Sequence, residues 1–193
     1  MSRLVFALYS PAMQSGKTTV ADYFEARGAQ PVKFAGPLKA MVATLLRECG
    51  EDEVTIKEAV YGSLKELPIR ELGGKSSRYL QQTLGTEWGR NMVTPEIWLN
   101  AFEMKVSMYH RLGLHVICDD LRFPNEDDML RARDDTVRIK VVRPGNTYTG
   151  GHGSEGLLED RDFDHVIYNT GGAEDFQQVL HDQVARIISR YLG

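Results

Sequence analysis

The spacing of apolar residues changes several times along the chain, and each change marks an element. Leu4–Tyr9 is an unbroken apolar run closed by Ser10-Pro11, the pattern of a strand buried on both faces of a parallel sheet. From Thr18 to Arg27 the period is helical: Val20, Tyr23 and Phe24 share one face, and Gly28 offers a C-terminal cap. A short second strand is expected over Val32–Ala35. Leu38, Met41, Val42, Leu45 and Leu46 recur at helical spacing behind Pro37, a favoured first-turn residue. Gly50–Gly74 reads as short helices and polar turns. Arg78–Gly89 reads as a helix with a break at Gly85, and Glu96–Arg111 as a helix carrying Trp98, Ala101, Phe102 and Tyr109. Leu114–Cys118 is another buried strand, ending in Asp119-Asp120. Asn125–Arg133 suits a helix, Thr136–Val142 a strand, and the glycine-rich stretch Arg143–Arg161 a long loop of the kind that often serves as a lid. Asp164–Asn169 is a last short strand. Phe176, Val179, Leu180, Val184, Ile187, Ile188 and Tyr191 mark an amphipathic final helix. Strands alternating with helices imply an α/β fold: a parallel sheet flanked by helices, with ligands bound beyond the carboxyl ends of the strands.

Composition narrows the function classes. At 193 residues the chain is expected to form one domain, since domains run to roughly 100–200 residues. Apolar residues at 42% and charged residues at 26% exclude a largely disordered chain. Lys plus Arg total 23 against 27 Asp plus Glu, a net charge of −4, so no basic excess advertises a nucleic-acid groove. A small anionic ligand remains compatible, because local positive sites can sit inside a mildly acidic protein. Cys49 and Cys118 are too few for a disulfide framework or a structural zinc site, and read as reduced thiols. No apolar run approaches the ~20 residues needed to span a bilayer, and the first residues lack a signal-peptide pattern. No membrane partner is expected, and the expected location is the cytoplasm.

The sharpest local chemistry is Ser15-Gly16-Lys17-Thr18, set between a buried strand and an amphipathic helix. A phosphate-binding loop needs inward backbone N–H groups, a lysine for the β- and γ-phosphates, and a hydroxyl for Mg²⁺. The helix N-terminus adds its positive dipole end. Gln14, Ser15, Gly16, Lys17, Thr18 and Thr19 form the expected ATP phosphate site. One position departs from the pattern: Pro11 stands where glycine usually begins the loop. Proline fixes φ and has no N–H to donate, so the entry geometry must differ. The plain alternative is a generic strand–turn–helix junction with an exposed lysine.

Further motifs follow in order. Arg78-x-x-Gln81-x-x-Leu84-Gly85-Thr86-Glu87-x-x-Arg90 precedes Trp98; Asp120-x-Arg122-Phe123-Pro124-Asn125-Glu126 follows a strand end; His152-x-Ser154-Glu155 lies in the glycine-rich loop. With Ser15-Gly16-Lys17 and Phe34-Ala35-x-Pro37-Leu38-Lys39, this pattern resembles the phage-type deoxynucleoside monophosphate kinase family, from about Leu4 to Asn169. The resemblance implies a single P-loop kinase domain over residues 1–193 with the nucleoside monophosphate kinase fold. It implies a helical acceptor-binding insertion at about 36–112 and a lid at about 143–162. The implied reaction is transfer of a phosphoryl group from ATP to a deoxynucleoside 5′-monophosphate, with ATP and Mg²⁺ as cofactors and nucleotides as partners. The resemblance also allows a homodimer, and places a phage-encoded enzyme in the host cytoplasm. Besides Pro11, the chain departs from the family at Gln14, where relatives often carry a basic residue, and at Thr18, where they often carry an acid.

Phosphoryl transfer spreads negative charge over the transferred oxygens, and catalysis is mainly positioning plus stabilisation by Lys, Arg and Mg²⁺. Lys17 is the donor-side cation, and Arg122, just past a strand end, could bridge donor and acceptor phosphates. Asp119 and Asp120 close a buried strand, the usual place for the acid that holds Mg²⁺. Asp120 is preferred because the resemblance aligns it, and Thr18 supplies a hydroxyl. Lys39, Arg78 and Arg90 suit the acceptor phosphate, and Gln81, Gln82, Glu87 and Trp98 its base, though Trp98 also sits at core spacing. Arg143, His152, Glu155 and Arg161 belong to the lid; the two arginines either fold over ATP or stay in solvent. Two other readings stand beside this one. The first is a P-loop kinase of another small acceptor, such as a coenzyme A precursor or a sugar acid. The second is a nucleotide-binding module without transfer activity.

Overall fold

The fold is that of a computed structural model, which describes residues 3–12, 14–145, 156–170 and 173–192, the last segment without side chains at 173–177 and 192. The chain starts in β1, Val5–Tyr9, whose five residues are all buried. α1, Lys17–Glu25, follows. It buries Val20, Ala21 and Phe24, with Phe24 at 4.5 Å (ring centroids) from Phe6. Gly28 ends it at φ 89°, and the Ala29 N–H returns to the Phe24 carbonyl.

The second strand lies earlier than the sequence suggests. β2 is only Gln30–Pro31, not Val32–Ala35. Pro31 cannot donate to a ladder, which suits an edge position. The Val32 N–H still reaches the Ile117 carbonyl, after which Lys33 turns to Asp119. α2, Gly36–Glu48, carries its proline in the first turn. α3, Glu53–Val60, is capped by Asp52, whose carboxylate accepts from the N–H groups of Val54 and Thr55. A small antiparallel hairpin of β3, Pro68–Ile69, and β4, Lys75–Ser76, precedes α4, Ser77–Gln82.

The break expected at Gly85 is absent. α4 runs on as a π-helical stretch, Thr83–Val93, which closes with Thr94 N–H on the Gly89 carbonyl, five residues back. Gly85 and Gly89 are buried here. α5, Ile97–Arg111, then lays Trp98 on them: the indole N–H donates to the Gly85 carbonyl at 2.8 Å. A Cβ at residue 89 would come 2.7 Å from the Trp98 ring. Glycine normally weakens a helix; at these two positions its missing side chain makes room for an indole.

β5, Val116–Cys118, is buried throughout. α6, Pro124–Arg131, β6, Thr136–Val142, β7, His165–Tyr168, and α7, Ala173–Leu192, complete the chain. The main sheet has the order β2-β5-β1-β6-β7 and all its pairs are parallel. β1 and β6 are neighbours whose onward connections run to opposite edges, the switch point beyond whose carboxyl ends such sheets bind their ligands.

Two compact units emerge. The larger comprises the described residues of 1–33 and 103–193 and holds the main sheet. Its core joins Phe6, Leu8, Val20, Phe24, Ile117 and Ile139 with Leu180, Val184 and Ile187 of α7. The smaller spans Phe34–Phe102, with a core of Val42, Ala43, Leu46, Ile56, Ala59 and Val60. Among the described residues, no helix is long and apolar enough to cross a membrane.

Candidate active site

In the larger unit the loop after β1 is folded by its own hydroxyls. Ser15 Oγ donates to the Ala12 carbonyl at 2.6 Å, and the Ser10 hydroxyl sits 2.7 Å from the same oxygen and 2.5 Å from Ser15 Oγ. Ser15 is 3% exposed, so its side chain is committed to the loop's shape. Gln14 adopts φ 56° and Gly16 φ 97°. Left-handed residues at such turns bend successive N–H groups toward one side, the geometry of anion-binding nests. α1 then opens with Lys17, Thr18 and Thr19. Its first turn holds no acid, and no side-chain cap is present among the described residues. The orphan N–H groups of this first turn are therefore left for an anion.

Lys17 is half-buried. Burial pushes its amine below the ordinary lysine value, and the neighbouring Arg122 cation pushes it further, while Asp119 and Asp120 oppose both. These four side chains, read separately from the sequence, thus share one electrostatic neighbourhood. Asp119 accepts from Lys33 Nζ at 2.8 Å through Oδ2. Its Oδ1 is buried without a hydrogen-bond partner among the described residues. Partial burial lowers the Lys33 amine, but the bond and charge of Asp119, aided by Asp120, outweigh it and hold the pKa above the usual lysine range. Asp120 accepts from the Cys118 thiol; burial, reinforced by that carboxylate, pushes the thiol well up.

Arg122 is exposed on a turn with a rigid frame. The carboxylate of Glu126, 2% exposed, accepts from the backbone N–H groups of Arg122 and Phe123 at 3.0 and 3.1 Å. Pro124 starts α6 behind them. The Asp-x-Arg-Phe-Pro-Asn-Glu segment is thus a self-capped turn that presents an arginine next to Lys17. Asn169, just past β7, donates from Nδ2 to the Ser15 carbonyl.

No group of three or more metal-ligating side chains occurs among the described residues. The Asp119 oxygen without a partner and the Asp120 carboxylate, both felt by Lys17, are nevertheless oxygen donors. Such donors fit a hard cation which keeps most of its shell as water and phosphate.

The smaller unit holds the other expected residues. Arg78 Nε pairs with Glu66 at 2.9 Å. Gln81 braces α3 by donating to the Val60 carbonyl at 3.2 Å. Lys39 lies over the Tyr61 ring, Gln82 is exposed and Arg90 half-buried. Trp98, expected against the acceptor base, is only 3% exposed with its N–H already bonded, so the structure gives it to packing. Sequence reasoning missed Trp88, which is 38% exposed. Trp88 and Glu87 line a groove of about 430 Å³ between α2 and the π-helical stretch, with Met41, Leu45, Leu80 and Leu84 on its walls.

Of the lid residues, His152 and Glu155 lie outside the described residues. Arg143 is exposed. Arg161 is half-buried, and its guanidinium donates to Asp127 at 2.9 Å and to Asp128.

Sheet order, phosphate loop and flanking cations define the P-loop kinase fold. A solved dephospho-CoA kinase from Campylobacter jejuni shares that fold with a TM-score of 0.50 and 15% identity, covering 95% of this chain and 96% of its own. Residues 50–180 match the deoxynucleotide monophosphate kinase family model, and the chain belongs to that family. The deoxynucleotide monophosphate kinase of Enterobacteria phage T4 is 37% identical over 101 residues, 52% of this chain and 42% of the relative. The deoxynucleoside-5′-monophosphate kinase of Escherichia phage T5 is 32% identical over 100 residues, 49% and 39% of the two chains. The matched stretch thus spans about two fifths of each relative's length.

Proposed function

We infer that the chain is a magnesium- and ATP-dependent kinase of deoxynucleoside 5′-monophosphates. The observation that carries this reading is the half-buried Lys17 at an uncapped helix start, in the company of Arg122, Asp119 and Asp120. In the reaction an oxygen of the acceptor's phosphate attacks the γ-phosphorus of ATP. The bond to the β–γ bridging oxygen breaks, and ADP leaves with that electron pair. No general base is required, because a monoester phosphate loses its second proton at about pH 6.

Lys17 and the N–H groups of Gly16, Thr18 and Thr19 hold the donor phosphates, with Gln14 at the loop's outer edge. Arg122 faces the charge that develops on the transferred group, where a guanidinium fork suits phosphate oxygens. Thr18, Asp120 and the free oxygen of Asp119 would hold Mg²⁺, which when bound neutralises charge on the β- and γ-oxygens.

On the smaller unit, Lys39, Arg78 and Arg90 serve the acceptor phosphate, and Gln82 and Glu87 the base. Trp88 offers the stacking face that Trp98 does not, in a groove of a size suited to a small planar ligand. Arg143 and the lid segment at about 143–162 serve the donor nucleotide. Substrates of this kind place the work in the cytoplasm, the host's where the chain is phage-encoded.

A panel of nucleoside monophosphates, with dephospho-CoA as the contrasting acceptor, tests the reading through coupled detection of ADP. At least one deoxynucleoside monophosphate is expected to raise ADP formation above the ATP-only blank. Stimulation by dephospho-CoA alone, or ATP binding with no stimulated turnover, would overturn it.

A further inference from the structure

Asn169 is 5% exposed and stands just past the end of β7. Its backbone N–H is fixed by the Val142 carbonyl at 2.7 Å. Its side-chain amide spans 154 residues of sequence to donate from Nδ2 to the Ser15 carbonyl at 3.2 Å. Its Oδ1 is buried and has no hydrogen-bond partner among the described residues. A buried amide with half its capacity unused is costly, so the half that is used carries weight.

The Ser15 carbonyl belongs to the peptide whose N–H is that of Gly16. In a trans peptide the carbonyl and the N–H point in opposite directions. Holding the Ser15 oxygen on Asn169 therefore turns the Gly16 N–H away from β7. Gly16, at φ 97°, has the freedom to flip that a residue with a side chain lacks. The side-chain bonds of the loop, from Ser10 and Ser15 to the Ala12 carbonyl, fix the loop upstream of this peptide and leave the peptide itself to Asn169.

We propose that Asn169 is a positioning residue for the donor phosphates: it sets the Ser15–Gly16 peptide so that the Gly16 N–H is presented to ATP. This rests on the reading of the loop as an ATP site. Asn169 touches no phosphate itself, and its effect passes through one peptide plane. Its loss should weaken ATP and leave the acceptor alone.

The test compares Asn169→Ala and Asn169→Asp with the wild type. Asp keeps the shape, removes the donor and sets a carboxylate against the Ser15 oxygen. ATP affinity by calorimetry, KM for ATP, KM for the best acceptor, kcat and Tm are measured. Loss of one oriented hydrogen bond should raise Kd and KM for ATP about 3- to 10-fold, more for Asp than for Ala, with acceptor KM within about twofold. Where Asn169→Asp does not fold, Asn169→Gln replaces it. Gln keeps the amide donor and should hold ATP more tightly than Ala. Folded variants that bind ATP as the wild type does, or that lose acceptor and ATP affinity equally, overturn the proposal while the ATP site stands. A wild type that binds no ATP overturns the underlying reading instead.

Discussion

Lys17 shows how one residue can be legible in sequence and acquire its properties only in the fold. The motif predicts a lysine at a helix start; burial and Arg122 make it a strained cation awaiting an anion. Lys17→Met should therefore lower kcat about 100- to 1,000-fold, the usual cost of removing one donor aimed at developing charge, with Tm unchanged or raised. Steady-state rates and thermal melts check both halves. The pH dependence has a definite sign. Because the folded pKa lies below the ordinary 10.5, the unfolded chain binds the extra proton between the two values, and stability rises with pH across that window. Below the folded value the penalty is present in full. Denaturant titrations of the ligand-free protein should show any advantage of Lys17→Met shrinking as pH climbs to 10.5. A gap that stays constant across that range would contradict the burial of the charge. Other site residues were hidden for a plain reason. Lys33 and Asn169 act through partners 86 and 154 residues away, and no local motif carries such a pairing.

At the scale of elements, the sequence errs where tertiary contact overrides propensity. Gly85 reads as a helix breaker, yet it and Gly89 seat the Trp98 indole in an unbroken helix. The two glycines are not equivalent. At Gly85 a Cβ would meet only the flexible Leu38 side chain at 3.4 Å, whereas at Gly89 it would strike the Trp98 ring and come 3.0 Å from the Leu84 carbonyl. Gly89→Ala is expected to cost about 1–3 kcal/mol by overpacking. Gly85→Ala should be near neutral, since an alanine regains up to about 1 kcal/mol of helix propensity. Chemical denaturation of the pair decides it; equal losses would mean that the helix, not the indole, selects glycine. The same rearrangement explains why Trp88 rather than Trp98 is free to meet a ligand. A stacked aromatic contributes about 1–3 kcal/mol per base. Trp88→Ala should accordingly raise acceptor KM at least about fivefold with KM for ATP unchanged, whereas an equal rise in both would remove the groove from the acceptor's path.

In the larger unit's sheet β1 and β5 were readable because they are continuous apolar runs, and β6 falls on Thr136–Val142 as its pattern predicts. What the pattern could not reveal is the ionic clasp beside that strand. Asp127 of α6 is fully buried between Arg138 of β6 at 3.1 Å and Arg161 at 2.9 Å. Arg138 also donates to the Asp162 carbonyl, and its backbone N–H donates to Asp164. No local pattern marks either arginine as a partner of Asp127; the pairing arises because a buried carboxylate needs compensation. Removing one partner of such a pair strands a charge. Arg138→Met should therefore cost about 3–5 kcal/mol. Arg161→Ala should cost clearly less, because Asp127 keeps its buried arginine and Asp128 is exposed. Denaturation at neutral pH ranks the two. Turnover then separates the roles open to Arg161. If it serves only the clasp, kcat and KM for ATP in Arg161→Ala stay at wild-type values wherever the protein is folded. If it leaves Asp127 to meet the donor nucleotide, KM for ATP rises although stability barely moves, and the static clasp gives way to a lid that opens and closes on Asp127.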